Sequence, residues 1–353
     1  MFEGVERVLI VKLSSIGDVI NAFPAVVALR ERFPEAEIAW AVEPAAAGLV
    51  AAHQAVDRVF VLSVPGGGLR PANYLRAFAR MSRPLREGRF QVALDLQGLF
   101  KSACVAWLSR APLRLGFSDD RREAAFLLTN VRVPPQGNLA VERCLSMAAF
   151  MGADMSRPRA EIPLDPAAED WADRMLAERV RPGSVPVALA PGASLPLKRW
   201  PVERFIELGR LLVERGDIVP VIIGGPGDVA VAQSICQGIG PSAITTAGET
   251  DLLHLASLLR RCATVVAGDT CSLHLAAAVG VAVIGLFGSA DPNRTGPYGD
   301  GHIVIRKPFP CGPCLGKATC RDIDCLRAIA AAEVAEAVGR LLARAPAIAG
   351  ACR

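Results

Sequence analysis

Aromatic residues are scarce in this sequence. Phe, Trp and Tyr supply only 5% of its 353 residues, although apolar residues as a whole supply 52%. The core must therefore be aliphatic and rich in alanine, which suits stacked βα units better than a β-sandwich. The length suffices for two domains of ordinary size, each with a core of its own.

A long uninterrupted apolar run is also missing. The longest apolar stretch, LHLAAAVGVAVIGLFGSA from Leu273 to Ala290, is broken by one histidine and three glycines, so it predicts a helix, a turn and a strand rather than a membrane span. The first residues, MFEGVERVLIVKL, place acids before a short apolar run and offer no small-residue cleavage site, which predicts a first strand and not a secretory signal. We expect a protein of the cytosol whose ten cysteines are reduced thiols.

The dinucleotide fingerprint GxGxxG is absent from the place where it should be clearest. The turn after the first predicted strand reads SSIGDV, which argues against a nicotinamide-dependent dehydrogenase. Ser14, Ser15 and Gly17 still allow a close approach to a helix N-terminus, where backbone N–H groups bind an anion or a sugar hydroxyl. The residues alone leave two interpretations of Asp18 open: a helix N-cap, or a general base facing a ligand cleft.

The net charge of +4 is small but unevenly distributed. Between residues 70 and 122 the chain has eleven Lys and Arg residues and only four Asp and Glu residues. Such a surface attracts phosphates, carboxylates or an anionic membrane face, or it is simply a solvated arginine-rich surface. No aromatic residues alternate with these arginines as stacking platforms, so we do not expect nucleic acid as a partner.

Apolar runs alternate with helical patterns along the whole chain, which predicts α/β structure with parallel sheets. The first series contains VLIVKL, EIAWAV, DRVFVL and QVALDL, and a second series begins with VPVALAPG and continues through IVPVIIGG, ATVVAGDT and VAVIGLFG. We predict two Rossmann-like domains, residues 1–160 and 161–353, with the ligand site in the cleft between their strand ends. The last helix, near residues 325–345, has the apolar spacing to pack on its own domain or back on the N-terminal one.

Two turns of the second half contain polar residues at predicted strand ends. PGASLPLKRWP offers Ser194 and Lys198, a hydroxyl and an ammonium group that suit a phosphate, although an ordinary polar loop has the same composition. In GGPGD, Asp228 either accepts hydrogen bonds from ribose hydroxyls or caps the helix that follows.

The stretch AGDTCSLHLAAA combines a strand end, a glycine turn and a helix start, which is an anion-binding arrangement. Thr270 and Ser272 frame the first N–H groups of the helix. Asp269 would repel a bare diphosphate, so the motif suits a nucleotide that carries a sugar. His274 lies one turn further and is either a packed core histidine or part of the site.

These stretches together resemble glycosyltransferase family 9, the bacterial lipopolysaccharide heptosyltransferases, and most closely its type I members. The similar segments are VKLSSIGDV, DLQGLFKSA, LAVER, PGAS with KRWP, and GDTCSLHLAAAVG with GLFGSADPNRTGPYG, in this order through residue 299. The resemblance implies a GT-B fold, in which two Rossmann-like domains with parallel sheets face each other across a cleft.

The resemblance also implies an activity: inverting transfer of heptose from ADP-heptose to the inner-core 3-deoxy-octulosonate of lipid A, without a cofactor. It makes Asp18 the catalytic base. Donor binding would fall to Ser14, Ser15, Gly17, Ser194, Lys198, Asp228, Asp269, Thr270, Ser272 and His274. Acceptor binding would fall to Lys101, Arg122 and Arg143.

The same resemblance implies a monomer that works at the cytoplasmic face of the inner membrane, where its anionic lipid A acceptor is found. Heptosyltransferase II or another sugar transferase of the family is an alternative. A protein that binds nucleotide or anionic lipid without turnover is a further alternative, because Cys271 stands where the family pattern leads us to expect glycine.

Four cysteines lie close together in CGPCLGKATCRDIDC, namely Cys311, Cys314, Cys320 and Cys325. A zinc or iron–sulfur site tolerates such spacing. We favour reduced structural thiols and predict no metal.

Overall fold

The computed structural model describes residues 2–63, 80–119, 122–156, 158–314 and 322–344. The chain divides into two compact units, Met1–Pro163 and Leu164–Arg353. Each unit contains one parallel sheet of six strands.

The first unit has the strand order β3-β2-β1-β4-β5-β6. Its strands are β1 (Arg7–Val11), β2 (Glu37–Val42), β3 (Arg58–Val61), β4 (Val92–Asp95), β5 (Leu113–Phe117) and β6 (Val131–Val133). Its α-helices are Ile16–Ile20, Phe23–Arg32, Pro44–Ala51, Phe100–Leu108 and Ala140–Phe150, with helical residues at 80–87 and a 3₁₀ helix at Arg122–Leu127.

The register of β1 determines which loops of this unit meet. β1 pairs in parallel with β2 on one side and with β4 on the other, and Val11 is opposite both Ala41 and Asp95. The carboxyl ends of parallel strands lie at one edge of a sheet. The segments that follow β1, β2 and β4 therefore emerge side by side.

The second unit has the strand order β12-β11-β10-β7-β8-β9. Its strands are β7 (Val185–Ala190), β8 (Ile218–Ile222), β9 (Ile244–Thr245), β10 (Thr264–Gly268), β11 (Val283–Phe287) and β12 (Ile303–Arg306). Its α-helices are Pro166–Arg179, Val202–Val213, Val229–Ile239, Leu252–Arg260, Cys271–Ala278, Pro292–Thr295, Asp324–Arg327 and Ala331–Arg344, with 3₁₀ helices at Pro196–Lys198 and Pro226–Asp228.

The last helix, Ala331–Arg344, packs in the core of the second unit. Val334 and Val338 are fully buried there, and the helix contacts Val202–Val213, β10 and β11. The sequence left open whether this helix packs on its own domain or back on the N-terminal one. In the structure it packs on its own unit.

The apolar runs quoted from the sequence form β1, β2, β3, β4, β7, β8, β10 and β11, as predicted. The stretch from Leu273 to Ala290 divides into a helix and β11, also as predicted. Within the described residues, none of the helices combines the length and the apolar character that crossing a bilayer requires.

Candidate active site

The turn after β1, residues 12–18 (the Asp18 turn), holds the carboxylate of Asp18 in a defined orientation. Ser15 is the N-cap residue of the helix Ile16–Ile20, and Asp18 is its third residue. Oδ2 of Asp18 accepts hydrogen bonds from the backbone N–H of Ser15 at 3.2 Å and from its Oγ at 2.8 Å. The capping interpretation is thus corrected in one respect, because Ser15 occupies the N-cap position and Asp18 reaches back to it from the first turn.

The other carboxylate oxygen of Asp18, Oδ1, has no hydrogen bond among the described residues, and the residue is partly exposed. The carboxylate is therefore anchored through one oxygen and available through the other. This arrangement permits a structural role and a proton-accepting role at the same time. Gly17 is buried inside this short helix, and Ser15 is exposed at its start.

This turn is supported by three side chains from the segments that follow β4 and β2, namely Gln97, Lys101 and Glu43. Gln97, after β4, accepts hydrogen bonds through Oε1 from the backbone N–H of Leu13 at 2.8 Å and of Ser14 at 3.4 Å. Lys101 donates from Nζ to Ser14 Oγ at 3.1 Å and to Glu43 Oε1 at 2.8 Å. The turn is consequently tied to the segments that follow both β2 and β4.

Two buried charged side chains, Asp95 and Lys12, lie beneath these loops. Asp95 is 1% exposed, and its Oδ1 accepts the backbone N–H groups of Gln97 and Gly98, each at 3.0 Å. Burial raises the pKa of the Asp95 carboxyl, while these hydrogen bonds and the charge of Lys12 act against the shift. Lys12 donates from Nζ to the carbonyl of Leu96 at 2.8 Å. This network fixes the β4 turn, on which Gln97 and Lys101 depend.

The predicted acceptor residues are Lys101, whose contacts are given above, Arg143 and Arg122. Arg143 forms a bidentate ion pair with Asp119, at 2.8 and 3.0 Å. Burial raises the pKa of the thiol of Cys144, which follows Arg143 in the helix Ala140–Phe150. Arg122 opens a 3₁₀ helix, and its side chain is outside the described part of the structure.

In the second unit, Lys198 and Asp269 form the central ion pair. Lys198 follows β7 and Asp269 follows β10, and the distance from Nζ to Oδ2 is 2.6 Å. Gly268 makes this contact possible, because a Cβ at that position would lie only 2.7 Å from the carbonyl oxygen of Lys198. Any larger residue there would push the two loops apart.

Asp269 is an ionised carboxylate at neutral pH. Burial alone would raise the pKa of this carboxyl, but His274 and Lys198 together hold it below its ordinary value. Nε2 of His274 is 3.7 Å from Oδ1 of Asp269. The carboxylate therefore orients a lysine on one side and a histidine on the other.

Two buried polar atoms beside this pair have no hydrogen-bond partner among the described residues: Oγ1 of Thr270 and Nδ1 of His274. Thr270 is the N-cap residue of the helix Cys271–Ala278, yet its side chain makes no capping hydrogen bond. Unpaired buried polar groups are costly, and each calls for an explanation. Both atoms lie at a helix N-terminus, where a bound anion or sugar hydroxyl would satisfy them.

Asp228 lies against the β7 loop as well. A Cβ at Gly192 would come within 2.4 Å of the Asp228 carboxylate, so the two loops are in close contact. Oδ2 of Asp228 accepts the backbone N–H of Gly225 at 3.0 Å, which is a local capping contact. Burial raises the pKa of the Cys271 thiol at the start of the helix Cys271–Ala278, and the charge of Asp228 adds to this effect.

The remaining predicted donor residues belong to different units. Ser194 is exposed in the β7 loop, and Ser272 is buried in the first turn of the helix Cys271–Ala278. Ser14, Ser15 and Gly17 belong to the first unit, in the Asp18 turn. Their assignment to the donor stays a prediction.

Sequence reasoning missed three residues of these turns. Gln97 and Glu43 support the Asp18 turn, and Ser289 donates from Oγ to the carbonyl of Leu197 at 3.3 Å. Each follows a β-strand at its carboxyl end, so position after a strand was the available signal. Their roles depend on contacts with other loops, and these contacts are not encoded locally.

The cysteine stretch lies beside the loop that follows β11. Burial raises the pKa of the Cys325 thiol, and Cys311 and Cys314 are close enough to act on it. Sγ of Cys325 would be 2.8 Å from a Cβ at Gly288. Cys320 is outside the described residues, and the part of the chain that is described contains no group of three or more His, Cys, Asp or Glu residues arranged to hold a metal ion.

Comparison with known proteins identifies the family. A family model described as glycosyltransferase family 9 (heptosyltransferase) matches residues 78–322. Lipopolysaccharide heptosyltransferase 1 of Pseudomonas aeruginosa is 32% identical over 323 residues, which are 89% of this chain and 87% of that protein. The chain belongs to glycosyltransferase family 9. The predicted resemblance and the prediction of a glycosyltransferase are thereby confirmed.

Solved structures agree with this family 9 assignment. A family 9 glycosyltransferase from Veillonella parvula has a TM-score of 0.83 at 21% identity, covering 96% of this chain and 97% of that one. Heptosyltransferase WaaC of Escherichia coli, solved with ADP, has a TM-score of 0.74 at 25% identity, covering 95% and 99%. The predicted GT-B fold is confirmed.

Proposed function

We propose that this family 9 enzyme transfers heptose from ADP-heptose to the inner-core 3-deoxy-octulosonate of lipid A, with inversion at the anomeric carbon. The observation that carries the proposal is the pair of unsatisfied buried atoms, Thr270 Oγ1 and His274 Nδ1, beside the ion pair of Lys198 and Asp269. These groups offer one cation, one anion and two hydrogen-bonding atoms without a partner among the described residues, all close to the start of the helix Cys271–Ala278. A sugar diphosphate needs all of these types of partner.

Lys198 would stabilise the diphosphate as it leaves. The ammonium group has three N–H donors, and Asp269 accepts only one of them. The others remain available to phosphate oxygens, on which negative charge accumulates as the glycosidic bond breaks. Asp269 keeps Lys198 in place through its ionised carboxylate, so the cation is oriented before the donor binds.

Asp18 would act as the general base in the first unit. Its free Oδ1 accepts the proton of the acceptor hydroxyl while that oxygen forms a bond to the anomeric carbon. The bond from this carbon to the diphosphate breaks on the opposite face, and its electron pair leaves with ADP. The proposed step needs neither a metal nor a cofactor.

Lys101 and Arg143 would receive the anionic groups of the acceptor, together with Arg122. Lys101 uses two of its three N–H groups for Glu43 and Ser14, which leaves one for an acceptor oxygen. Arg143 would share its guanidinium between Asp119 and the acceptor. Because that acceptor is a membrane lipid, we propose that the enzyme works at the cytoplasmic face of the inner membrane. We also propose that it is a monomer.

A panel of donors and acceptors with mass detection tests this proposal. We expect release of ADP and a product heavier by one heptose when ADP-heptose and 3-deoxy-octulosonate-lipid A are supplied. NMR of the product shows whether the anomeric configuration has inverted. Reaction only with an acceptor that already carries heptose would indicate a type II enzyme, and binding of ADP-heptose without release of ADP would indicate a non-catalytic binding protein.

A further inference from the structure

The helix Phe100–Leu108 carries apolar residues on the side that faces solvent. Its inner side is buried through Ala103, Val105, Ala106 and Leu108. A surface helix of a globular protein ordinarily has polar residues on its outer side. Here the outer side consists of Phe100, Cys104 and Trp107, spaced four and three residues apart and hence on one stripe.

The exposure of this stripe is large. The side chains of Phe100 and Trp107 are 45% and 51% exposed, and Leu127, on the adjoining 3₁₀ helix Arg122–Leu127, is 69% exposed. Three of the eight exposed large apolar residues of the described chain therefore lie on two neighbouring elements. We call these three side chains and Cys104 the outer apolar patch. Concentrated apolar surface of this kind marks an interaction site.

Two exposed arginines border the outer apolar patch. Arg110 lies two residues after the helix, and its backbone N–H donates to the carbonyl of Trp107 at 3.1 Å; its side chain is exposed and has no ion-pair partner within the described residues. Arg132 is also exposed, 5.3 Å from the ring of Phe126. These two arginines place positive charge at two edges of the patch.

The patch begins next to the Asp18 turn. Lys101, the second residue of the helix, lies 3.1 Å from Ser14 Oγ in that turn. A helix of this length extends for about 13 Å, so the whole stripe is within a short distance of the turn. A lipid acceptor held in a bilayer against this stripe would present its sugar close to Asp18.

We propose that the outer apolar patch docks on an anionic lipid bilayer, with Phe100 and Trp107 inserted at headgroup level and the surrounding arginines on the lipid phosphates. Aromatic side chains flanked by cations are the combination that binds such an interface. This inference rests on the proposed function, which makes the acceptor a membrane lipid. It names the surface through which the enzyme reaches that lipid.

Vesicle flotation with the full chain tests the docking. Wild-type protein should float with phosphatidylcholine vesicles that contain about a third phosphatidylglycerol, and less with phosphatidylcholine alone or at high salt. Phe100→Ser combined with Trp107→Ser should weaken binding by about tenfold or more. Leu164→Ser removes an apolar residue that is 54% exposed elsewhere in the chain and should bind as wild type does.

Fluorescence supplies a second measurement. Trp40 and Trp200 are buried, at 0% and 2% exposure, and Trp171 is partly exposed in the second unit, on the helix Pro166–Arg179, whereas Trp107 is half-exposed in the patch. Brominated lipids should therefore quench wild-type emission, and quenching should fall strongly in Trp107→Phe, which keeps an aromatic group in the patch.

Activity separates this inference from the proposed function. The double variant should turn over a deacylated, soluble acceptor at the wild-type rate but lose activity on acceptor embedded in vesicles. If the wild-type protein does not turn over the soluble acceptor, the proposed function is contradicted. The vesicle-binding measurement still tests the docking proposal in that case. Equal vesicle binding by wild type and the double variant would overturn the inference. So would light scattering that shows a wild-type dimer and a monomeric double variant, since the patch would then bind a second copy of the chain.

Discussion

Replacement of Asp18 by asparagine separates the capping contact of this side chain from its proposed chemistry. Oδ2 of Asp18 accepts two hydrogen bonds from Ser15, at 3.2 and 2.8 Å, while Oδ1 is free among the described residues. The amide oxygen of asparagine accepts the same two hydrogen bonds. The amide nitrogen that replaces Oδ1 cannot take up a proton from an acceptor hydroxyl.

The two effects have very different expected magnitudes. Loss of a general base lowers turnover by about a hundredfold to ten-thousandfold. The change in the free energy of unfolding should stay within about 1 kcal/mol, because the amide oxygen keeps both hydrogen bonds to Ser15 and only the favourable negative charge in the first helical turn is lost. Asp18→Ala removes both hydrogen bonds and should cost about 1 to 2 kcal/mol in stability in addition to activity.

Initial rates of ADP release, thermal unfolding and calorimetric affinity for ADP-heptose should be measured on the same preparations. We expect Asp18→Asn to keep stability and donor affinity and to lose turnover. Ser15→Ala is the matched control, because it removes one donor to the carboxylate and leaves the base in place, so its turnover should fall by less than about tenfold. Near-normal turnover in Asp18→Asn would refute the base assignment and leave Asp269 as the next carboxylate to examine.

Four further predictions follow from the same geometry. Lys198→Ala should remove a charge-assisted contact of about 1.5 to 3 kcal/mol and weaken both ADP-heptose binding and turnover; unchanged kinetics would contradict its role. Because the pKa of Asp269 is held below its ordinary value, its stabilising effect should be full at neutral pH and disappear as the pH falls below about 4. Urea unfolding of wild type and Asp269→Asn should therefore differ at pH 7 and converge in acid, and a constant difference would disprove the linkage. Gln97→Leu should lower turnover with little effect on calorimetric donor affinity, since Gln97 supports only the turn of the first unit; an equal loss of both would contradict this. Protein purified without added metal should contain no stoichiometric zinc or iron, and one metal per chain would argue against reduced thiols at Cys311, Cys314, Cys320 and Cys325.

The sequence predicted the longer buried strands and the turns that follow them. Runs such as EIAWAV and VPVALA are continuous and apolar because both faces of a parallel sheet are covered, so they stand out from the helical patterns. β5 and β6 were missed because β5 is only partly buried at Leu113 and Arg114, and β6 has three residues. β9 and β12 were missed for the same reasons, since β9 has two residues and Val304 of β12 is exposed.

The sequence by itself determined which residues stand at the ends of the strands, because a buried apolar run followed by glycine, serine or aspartate is a local pattern. It could not determine which strand ends are neighbours. Lys198 and Asp269 are separated by 71 positions and meet only because β7 lies beside β10. Lys101, Glu43 and Ser14 meet only because β1 lies between β2 and β4. The order of strands in a sheet is set by packing across the whole unit. Tertiary structure alone therefore decided that Lys101 supports the Asp18 turn. It also decided that Thr270 and His274 each keep a buried polar atom without a hydrogen-bond partner among the described residues.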